Sequence, residues 1–325
     1  MDDLSARRVD KEDLEGVLAA FVRWPYRPFY DLRIVPEDVQ ASLLRSELAD
    51  LLARPGVVAT GVRTGDEWKD ILVATPLELD SRLFGFPCVN LAFAIHGHPE
   101  RMGESPERAA SLGEMLNVLR SQRCRFLGGR FNALDASALW TAQTLGFRYL
   151  DTTVRYAFEY GRTAVPAYEP AVDVRPGTTD DISALTEIAA TYVENRFHYD
   201  SGFPRNESDE MYRVWIRNSL SSKDTHVVVP VSDGRPVGFT TMRYHPEVTE
   251  AGGPRVGEMV FSAVDPSARG RDIYTTMIHA GLQHFEGSAE VVYLGTLVNN
   301  IAVQRAWQRL GFRLVSAACG FHYWL

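Results

Sequence analysis

Two stretches of the chain read almost alike, DASALWTAQTLGFRYL at residues 135–150 and NIAVQRAWQRLGFRLV at residues 300–315. Both contain the sequence Leu-Gly-Phe-Arg, and the two copies lie 165 positions apart. In the second copy, apolar residues at helical spacing predict a helix over 300–309, and an alternation of aromatic residues predicts a final strand over 313–324. The repeat indicates that the same helix–strand unit occurs twice in the chain.

The match extends to the beginning of each half, where Arg7 corresponds to Arg175 at an offset of 168. A nearly constant offset at both ends of each half indicates an internal duplication. The Pro-punctuated segment GRTAVPAYEPAV (161–172) separates the halves and is typical of a linker. We therefore predict two tandem domains, residues 1–163 and residues 164–325.

The composition is that of a folded, acidic chain. Apolar residues make up 45% and aromatic residues 11% of the 325 residues, which is enough for a packed core and excludes global disorder. The formal net charge of −8 argues against a nucleic-acid partner bound by neutralising its phosphates. It leaves an anionic small ligand open, because local charge decides that case.

The cysteines and the apolar segments indicate the cellular compartment of the protein. Three cysteines without a Cys-x-x-Cys pair disfavour a disulfide framework and a zinc ribbon, and they fit a reducing compartment. The chain starts without a signal-peptide pattern, and no apolar run approaches the roughly 20 residues of a membrane helix. The pair His96-x-His98 has no third ligand at useful spacing, and we interpret it as a solvated loop rather than a metal site. We expect a cytoplasmic protein that binds no membrane and no metal.

The second half shows a clear order of elements, ααβββαβαβ. Thr178 and Asp181 have the spacing of a capping box, and Asp233-Gly234 between two apolar runs predicts a hairpin. The remaining periodicity predicts a helix over 208–221, a strand over 256–264, a helix over 272–286 and a strand over 290–297. The first half gives a looser version, with a hairpin over 56–79. We predict an α/β fold in which each half is a mixed, mostly antiparallel sheet flanked by helices.

The segment from Val264 to Tyr274, VDPSARGRDIY, is a candidate anion site. A strand ends here and a helix begins, so unpaired backbone N–H groups lie at the positive end of a helix. Such a turn binds phosphates, and Arg269 and Arg271 add positive charge. The alternative is an ordinary strand–helix loop with two surface arginines.

This loop, the element order and the Asn-x₁₀-Gly-Phe spacing near the C-terminus resemble the GNAT superfamily of acetyl-CoA-dependent N-acetyltransferases. In that family a loop of the form Arg-Gly-x-Gly-x-Gly/Ala holds the pyrophosphate of coenzyme A, and an asparagine contacts the coenzyme. The resemblance implies two tandem GNAT-like halves, of which 164–325 binds acetyl-CoA. The cofactor-binding residues that it implies are Val264, Arg269, Gly270, Arg271, Asp272, Ile273, Tyr274 and Asn300.

Three residues depart from the family pattern. Asp272 and Tyr274 stand where small residues are preferred, and the Asp272 carboxylate either repels a pyrophosphate or caps the helix. Trp307 stands where many members carry a tyrosine that protonates the departing thiolate, and an indole cannot act as an acid near neutral pH. The proton would then come from water, Tyr274 or Tyr323, while Trp307 packs against the sheet.

A narrower resemblance, over residues 72–325, is to the dTDP-fucosamine N-acetyltransferase type. It is carried by ENRFHYD at 194–200, LDSRLFGFP at 79–87 and the ending FHYW. It implies that a degenerate first half supports the second and that the acceptor is an amino group on a nucleotide-linked deoxysugar. The counterpart of the phosphate loop, around Gly97–Ser105, lacks the Arg-Gly pattern, so we expect 1–163 not to bind coenzyme A.

The acceptor should lie under the loop between the first two helices of the second half, as the resemblance implies. Arg196, Tyr199 and Asp200 are the residues expected to bind it. The amine must be neutral to react, so a base is needed, and the candidates are His198 and Glu258. Because Glu258 shares a strand face with apolar neighbours, we expect partial burial and a raised pKa. The catalytic residues predicted are thus Glu258, His198 and Tyr323.

The sequence therefore predicts an N-acetyltransferase that moves an acetyl group from acetyl-CoA directly to a primary amine of a small molecule, with a nucleotide amino sugar as the favoured acceptor. Two alternatives remain open. One is a GNAT-fold protein with another acyl-thioester or a carrier-protein donor, and the other is a scaffold that binds without turnover. A homodimer is compatible with the sequence.

Overall fold

The computed structural model describes residues 5–21, 24–97, 105–193 and 195–325. The helices and strands of the first half are β1 (Ala6–Arg8), α1 (Leu14–Ala20), α2 (Glu37–Ala53), β2 (Val58–Thr64), β3 (Glu67–Pro76), α3 (Glu78–Phe84), β4 (Cys88–His96), α4 (Pro106–Ser121), β5 (Phe126–Asn132), α5 (Ala136–Thr144) and β6 (Arg148–Glu159). Those of the second half are β7 (Asp173–Pro176), α6 (Ile182–Ala190), α7 (Arg196–Tyr199), α8 (Arg205–Ser221), β8 (His226–Ser232), β9 (Arg235–Pro236), β10 (Gly238–Tyr244), α9 (Pro246–Glu250), β11 (Val256–Val264), α10 (Ile273–Phe285), β12 (Val291–Leu297), α11 (Ile301–Arg309) and β13 (Arg313–Trp324).

The strongly patterned elements form where the sequence predicts them. Thr178 and Asp181 make the predicted capping box, and the strand predicted over 256–264 has those bounds. The helix predicted over 208–221 begins three residues earlier, at Arg205, because Pro204 can occupy the N-cap position. The short helices α3, α7 and α9 are too brief to leave a periodic signal, and the sequence did not indicate them.

The chain folds as two compact units that are not the contiguous halves 1–163 and 164–325. Unit 1 comprises Met1–Asp31, Pro36–Thr152 and Ala317–Leu325, and unit 2 comprises Leu32–Val35 and Thr153–Ser316. The last strand of each half is thus divided between the units. Both are long aromatic strands with the same alternation, so each can complete either sheet.

In unit 2 the strands follow the order β6-β12-β11-β10-β8-β7. The pair β11–β12 is parallel, and the other neighbouring pairs of this order are antiparallel. This is the predicted mixed, mostly antiparallel sheet. Helix α10 packs against β8, β10 and β11, while α6 packs against α8 and reaches β10 and β11.

Unit 1 repeats this arrangement with the order β1-β2-β3-β4-β5-β13. Its parallel pair is β4–β5, and β13 completes the sheet by antiparallel pairing with β5. One core cluster lies between the sheet and helices α4 and α5 and contains Leu119 and Phe321. A second cluster lies under α1 and α2 and contains Leu48 and Trp68.

None of the described helices is long and apolar enough to cross a membrane. Among the described residues, no group of three or more His, Cys, Asp or Glu side chains could hold a metal ion.

Candidate active site

A slot opens in unit 2 where strands β11 and β12 part. The two strands pair in parallel from Val256 and Val291 as far as Met259 and Leu294, and among the described residues no pair follows, although β11 continues to Val264. Backbone N–H and C=O groups in a strand are normally satisfied by the neighbouring strand. The parted edges therefore face each other with backbone groups that a ligand can pair with.

A β-bulge lies at the point of parting. Met259 is opposite Met242 of β10, whereas Phe261 is opposite Thr241, so Val260 has no opposite residue. A bulged residue leaves the hydrogen-bonded ladder locally disrupted. Because the pairing with β12 has also ended at this point, Val260 is in register with neither neighbouring strand.

Side chains from the parted strands and from three helix ends line the slot. Strand β11 contributes residues 259–262, β12 contributes residues 294–296, and helices α10 and α11 contribute Tyr274 and Trp307. The complete lining is Tyr192, Met259, Val260, Phe261, Ser262, Tyr274, Leu294, Gly295, Thr296, Asn300, Val303 and Trp307. The lining combines apolar side chains with hydroxyls, one amide and the backbone of the parted strands, so the slot offers polar partners as well as apolar contacts.

The predicted anion loop runs from the end of β11 to the start of α10. Gly270 has a φ of +77° and Asp272 a φ of +55°, both in the left-handed region. A Cβ added to Gly270 would meet nothing within 4 Å. The backbone angle alone therefore favours glycine at this position. Helix α10 then begins at Ile273, so its first N–H groups point toward the loop. Arg269 Nε donates to the Val264 carbonyl at 3.4 Å, which keeps this arginine beside the turn.

Asp272 occupies the N-cap position of α10, but its carboxylate makes no capping hydrogen bond. It accepts instead from the Thr275 hydroxyl at 2.6 Å, the Tyr168 hydroxyl at 2.9 Å and Arg309 Nη2 at 3.3 Å. The sequence left two alternatives, that the Asp272 carboxylate repels a pyrophosphate or that it caps the helix. In the structure the carboxylate instead binds side chains from other elements. The negative charge is compensated by Arg309 and held by the linker residue Tyr168.

Tyr274 and Trp307 contact each other inside the slot. Trp307 Nε1 donates to the Tyr274 hydroxyl at 3.0 Å. Trp307 is 2% exposed, and its ring meets the Tyr156 ring at 5.4 Å and an angle of 60°, which confirms that it packs in the interior. Burial raises the pKa of Tyr274, and the hydrogen bonds with Trp307 and Ser262 lower it by less.

Asn300 lies where β12 leads into α11, at the N-cap position of that helix. Its Nδ2 donates to the Thr296 hydroxyl at 3.1 Å, so the side chain lies along the wall of the slot. Gln304 Nε2 donates to the Val298 carbonyl at 2.8 Å and fixes the preceding turn. Asn300 and Tyr274 therefore line the same slot.

Glu258 contradicts the expectation of a raised pKa. Its side chain is 16% exposed, and its Oε2 accepts from Arg243 Nε at 2.7 Å and lies 3.1 Å from His245 Nε2. Burial alone would raise the pKa of this carboxyl, but the His245 hydrogen bond and the Arg243 charge together lower it to about 2. The expectation of a raised pKa is therefore wrong, and a carboxylate this weakly basic is a poor acceptor for the proton of an amine.

A row of polar side chains extends from Glu258 across the sheet. Tyr293 of β12 is the register partner of Glu258, and its hydroxyl lies 2.9 Å from His245 Nε2. The guanidinium of Arg155 lies over the Tyr293 ring at 4.6 Å. His245 Nδ1 is 2.8 Å from a Glu247 carboxylate oxygen. This row (Arg155, Arg243, His245, Glu258 and Tyr293) begins just before the strands part and carries both signs of charge.

The predicted acceptor residues lie on and after α7, where their surroundings differ. Tyr199 is exposed, and the Arg196 guanidinium lies over the Phe197 ring at 4.6 Å. Asp200 is buried and accepts from the Gly202 N–H at 2.9 Å, which is a turn-forming contact.

His198 Nε2 lies 2.7 Å from an Asp209 carboxylate oxygen, and the His198 side chain is 2% exposed. Its Nδ1 is buried and has no hydrogen-bond partner among the described residues. It is not among the residues that line the slot.

Tyr323 does not join these residues, because it belongs to unit 1. Its hydroxyl accepts from Arg120 Nη2 at 3.0 Å, and its ring lies 4.7 Å from that of Phe147. The sequence placed it in the second half as the last strand of a contiguous domain. Tyr323 is not among the residues that line the slot of unit 2, and its catalytic role stays a prediction.

In unit 1 the parallel pair also ends early. Its parallel pair ends at Leu91 and Gly129, and a register shift beside Leu91 repeats the bulge. Beyond that point, His96 Nε2 lies 2.9 Å from an Asp135 oxygen, and this buried pair joins the end of β4 to the start of α5. Phe131, fully packed in the core, corresponds in the repeat to Thr296 of the slot in unit 2.

A second buried ion pair lies in the first turn of α4, where Arg108 Nε donates to Asp70 at 2.5 Å. The segment around Gly97–Ser105 that corresponds to the anion loop falls largely outside the described residues, and so does His98.

Comparison with known proteins identifies the class. Residues 192–312, somewhat over a third of the chain, match the model of the acetyltransferase (GNAT) family. Over 159 residues, 48% of the chain, the sequence is 23% identical to the spore coat polysaccharide biosynthesis protein SpsD of Bacillus subtilis (strain 168). That match covers 52% of the relative, so the chain spans about half the length of the curated protein it resembles.

Solved structures confirm the tandem fold. A tandem GNAT protein from the clavulanic acid biosynthesis pathway superposes with a TM-score of 0.58 at 17% identity, covering 99% of this chain and 98% of that one. The glucosamine N-acetyltransferase region of a fungal multi-domain β-N-acetylglucosaminidase gives a TM-score of 0.64 at 15% identity, covering 99% of this chain and 38% of that one. At these identities the likeness establishes the fold alone.

Several residues of the site were missed from the sequence. Arg243 pairs with Glu258 across strands, and the Asp233-Gly234 hairpin together with the strand at 256–264 holds the register that could have indicated it. Tyr168 and Arg309, which hold Asp272, lie 104 and 37 positions from it, and no local pattern links them.

Proposed function

We propose that unit 2 binds acetyl-CoA and transfers its acetyl group to a primary amine. One observation carries this proposal: the slot between β11 and β12 is lined by Tyr274 at the start of α10, directly after a loop with two left-handed residues. The slot suits a narrow chain with amide groups, and the loop suits a diphosphate.

The residues present fit the coenzyme in three ways. The parted edge of β11 beyond Met259 offers backbone groups to pair with the amides of a pantetheine chain. Arg269 and Arg271 stand before the positive end of a thirteen-residue helix. The one residue of the wrong charge, Asp272, is compensated by Arg309 and turned toward Tyr168.

The bulge suggests where the acyl group would be activated. Val260 lies at the parting of the strands without a register partner on either side. Its backbone N–H would polarise the thioester carbonyl, which makes the carbonyl carbon a better target for the amine. The polar row with Glu258 and Tyr293 starts one step earlier on the same strands, so the amine would approach from that side.

For the acceptor we propose an amino sugar, with a nucleotide-linked sugar as the favoured form. The polar row supports it, because Arg155 and Arg243 suit phosphates or hydroxyls while Glu258 suits an ammonium group before its deprotonation. Two proteins similar to this chain are described in terms of polysaccharide biosynthesis and glucosamine N-acetylation.

Unit 1 would support unit 2 without binding the coenzyme. In support, the His96–Asp135 pair is buried beyond the end of its parallel strand pair, and Phe131, the counterpart of Thr296, belongs to its hydrophobic core. Separating the two side chains of such a buried pair would leave polar groups without partners, which is energetically costly. We therefore expect the pair to persist.

Calorimetry and a thiol-release assay together test the proposal. We expect one molecule of acetyl-CoA to bind per chain and free coenzyme A to appear when a nucleotide amino sugar is added. Arg269→Ala should weaken binding about tenfold, because it removes a charge beside the turn, while Arg235→Ala, at the distant hairpin, should not.

Binding without release across a panel of amines would instead favour a scaffold, and release with another acyl-thioester or with acyl-carrier protein would favour a different donor. The absence of coenzyme A binding at millimolar ligand would remove the proposal.

A further inference from the structure

A tyrosine hydroxyl inside the slot has a fixed orientation. Tyr274 is the second residue of α10, and its hydroxyl accepts the hydrogen bond of Trp307 Nε1 at 3.0 Å. An indole N–H can only donate, so the direction of this hydrogen bond is not exchangeable. The Tyr274 hydroxyl must therefore direct its own proton away from Trp307.

The donor that fixes this hydroxyl is itself rigid. Trp307 is among the largest fully buried side chains of the protein, and Tyr156 packs against its ring. Ser262 of β11 also lines the slot, beyond the bulge, and donates a hydrogen bond to the Tyr274 oxygen. The Tyr274 hydroxyl is thus held in the slot by the indole donor, and its own proton is directed away from Trp307.

Other groups in reach are less suitable as proton donors. Glu258 is ionised and bound by Arg243, so it has no proton to give at neutral pH. Tyr323 is not among the residues that line the slot, and its hydroxyl accepts from Arg120. Tyr192 is the other phenol that lines the slot, and its ring is packed against Tyr212 at 5.0 Å and against Phe261 at 5.4 Å.

We propose that Tyr274 is the residue that protonates the leaving thiolate, and that Trp307 is the positioning residue that holds its hydroxyl. This inference rests on the proposed acetyl transfer. The amine nitrogen forms a bond to the thioester carbonyl carbon, and the carbon–sulfur bond breaks with its electron pair moving to sulfur. Tyr274 donates its hydroxyl proton to that sulfur, and the proton lost by the nitrogen returns to the phenolate through water. The products are an amide and a free thiol.

Tyr274 stands where the family prefers a small residue, and Trp307 stands where many members carry a tyrosine. The proposal explains both differences together. A hydroxyl that reaches the slot from α10, fixed by an indole from α11, supplies the proton that the indole alone cannot supply. We therefore expect substitution of either residue to lower the rate of acetyl transfer. Trp307→Phe should leave the Tyr274 hydroxyl present but misoriented.

The test compares Tyr274→Phe and Trp307→Phe with the wild-type chain, using Tyr160→Phe as a matched control. Tyr160 is another phenol of unit 2, and its hydroxyl donates to the Leu282 carbonyl away from the slot. We expect Tyr274→Phe to lower kcat with acetyl-CoA about 100-fold and Trp307→Phe to lower it about tenfold. Calorimetric Kd values for acetyl-CoA should stay within about threefold of wild type, and Tyr160→Phe should behave as wild type.

A second acyl donor separates proton donation from positioning of the donor. With p-nitrophenyl acetate, whose leaving group needs no proton, Tyr274→Phe and wild type should transfer acetyl at equal rates. As a variant that keeps the ring and the hydroxyl, difluorotyrosine at position 274 should move the basic limb of the pH–rate profile to lower pH, because its hydroxyl is more acidic. If Tyr274 had only a structural role, Tyr274→Phe would lose rate with p-nitrophenyl acetate as well, and difluorotyrosine would leave the pH–rate profile unchanged.

The outcomes that overturn the inference are distinct from failure of the proposed function. If wild type is active and Tyr274→Phe is equally active, or if Tyr192→Phe alone loses the rate, Tyr274 is not the donor. If Tyr274→Phe mainly weakens the calorimetric Kd, it is a binding residue only. If wild type neither binds nor turns over acetyl-CoA, the proposed function fails, and this assignment fails with it.

Discussion

At the residue scale, the environment of a side chain decides whether its chemistry is available. Glu258 has the type and position of a general base, yet Arg243 and His245 hold it as a carboxylate. Asp272 has the wrong charge for an anion site, yet Arg309 and Tyr168 turn its carboxylate to other partners. Neither outcome is visible in sequence spacing, because each depends on partners from other elements.

The ion pair of Glu258 predicts a pH dependence of stability. The folded pKa of about 2 lies below the ordinary value of about 4.3, so the stabilisation is complete above pH 5 and is lost as the pH falls toward 2. Over that interval we expect wild type to lose about 3 kcal/mol of unfolding free energy through this group. Denaturant unfolding at a series of pH values checks this. Glu258→Gln should show a shallower slope, while Glu250→Gln, on an exposed residue, should keep the slope of wild type.

Replacing Asp272 with glycine should strengthen coenzyme binding. The change removes a negative charge near the proposed diphosphate and a side chain from a left-handed position. We expect Kd for acetyl-CoA to fall about threefold to tenfold, on the basis of a charge several ångströms from the ligand. Asp233→Gly is the matched control, because Asp233 has a φ of +50° in a hairpin and should leave Kd unchanged. Weaker binding in Asp272→Gly would mean that the carboxylate organises the loop.

At the element scale, the slot depends on how closely α10 lies on β11. A Cβ added to Gly257 would be 2.5 Å from the Phe285 ring, so Gly257→Ala must push the helix or the ring aside. We expect a loss of about 1–3 kcal/mol in unfolding free energy together with weaker acetyl-CoA binding. Gly161→Ala, where a Cβ meets nothing within 4 Å, should change neither quantity. Unchanged stability in Gly257→Ala would show that this packing is looser than described.

The secondary-structure elements also show which features of the fold can be predicted from the sequence. The strand at 256–264, the helix after it and the loop between them were predictable, because periodicity and turn residues are local. The parting of β11 from β12 and the bulge at Val260 were not, because they depend on the register of three strands. The exchange of β6 and β13 was hidden for the same reason, since two strands of similar alternation offer no local sign of their partner.

At the scale of the whole molecule, the strand exchange predicts which segments unfold together. Leu119→Ala opens the core of unit 1, where Leu119 is fully buried. In hydrogen exchange we expect it to speed exchange in 317–324 and β5 and to leave 153–159 and β12 protected. Leu282→Ala, in the core of unit 2, should give the opposite pattern. If 153–159 instead followed β5 in the Leu119→Ala chain, the units would be the contiguous halves.

The central claim is that the slot and loop of unit 2 hold the coenzyme, and hydrogen exchange with and without saturating acetyl-CoA tests it most directly. Slower exchange is expected at residues 260–264 and 270–276, with no change at their unit 1 counterparts, residues 92–96 and 105–110. Protection confined to unit 1, or none in 260–264 under ligand that calorimetry shows to be bound, would contradict the account.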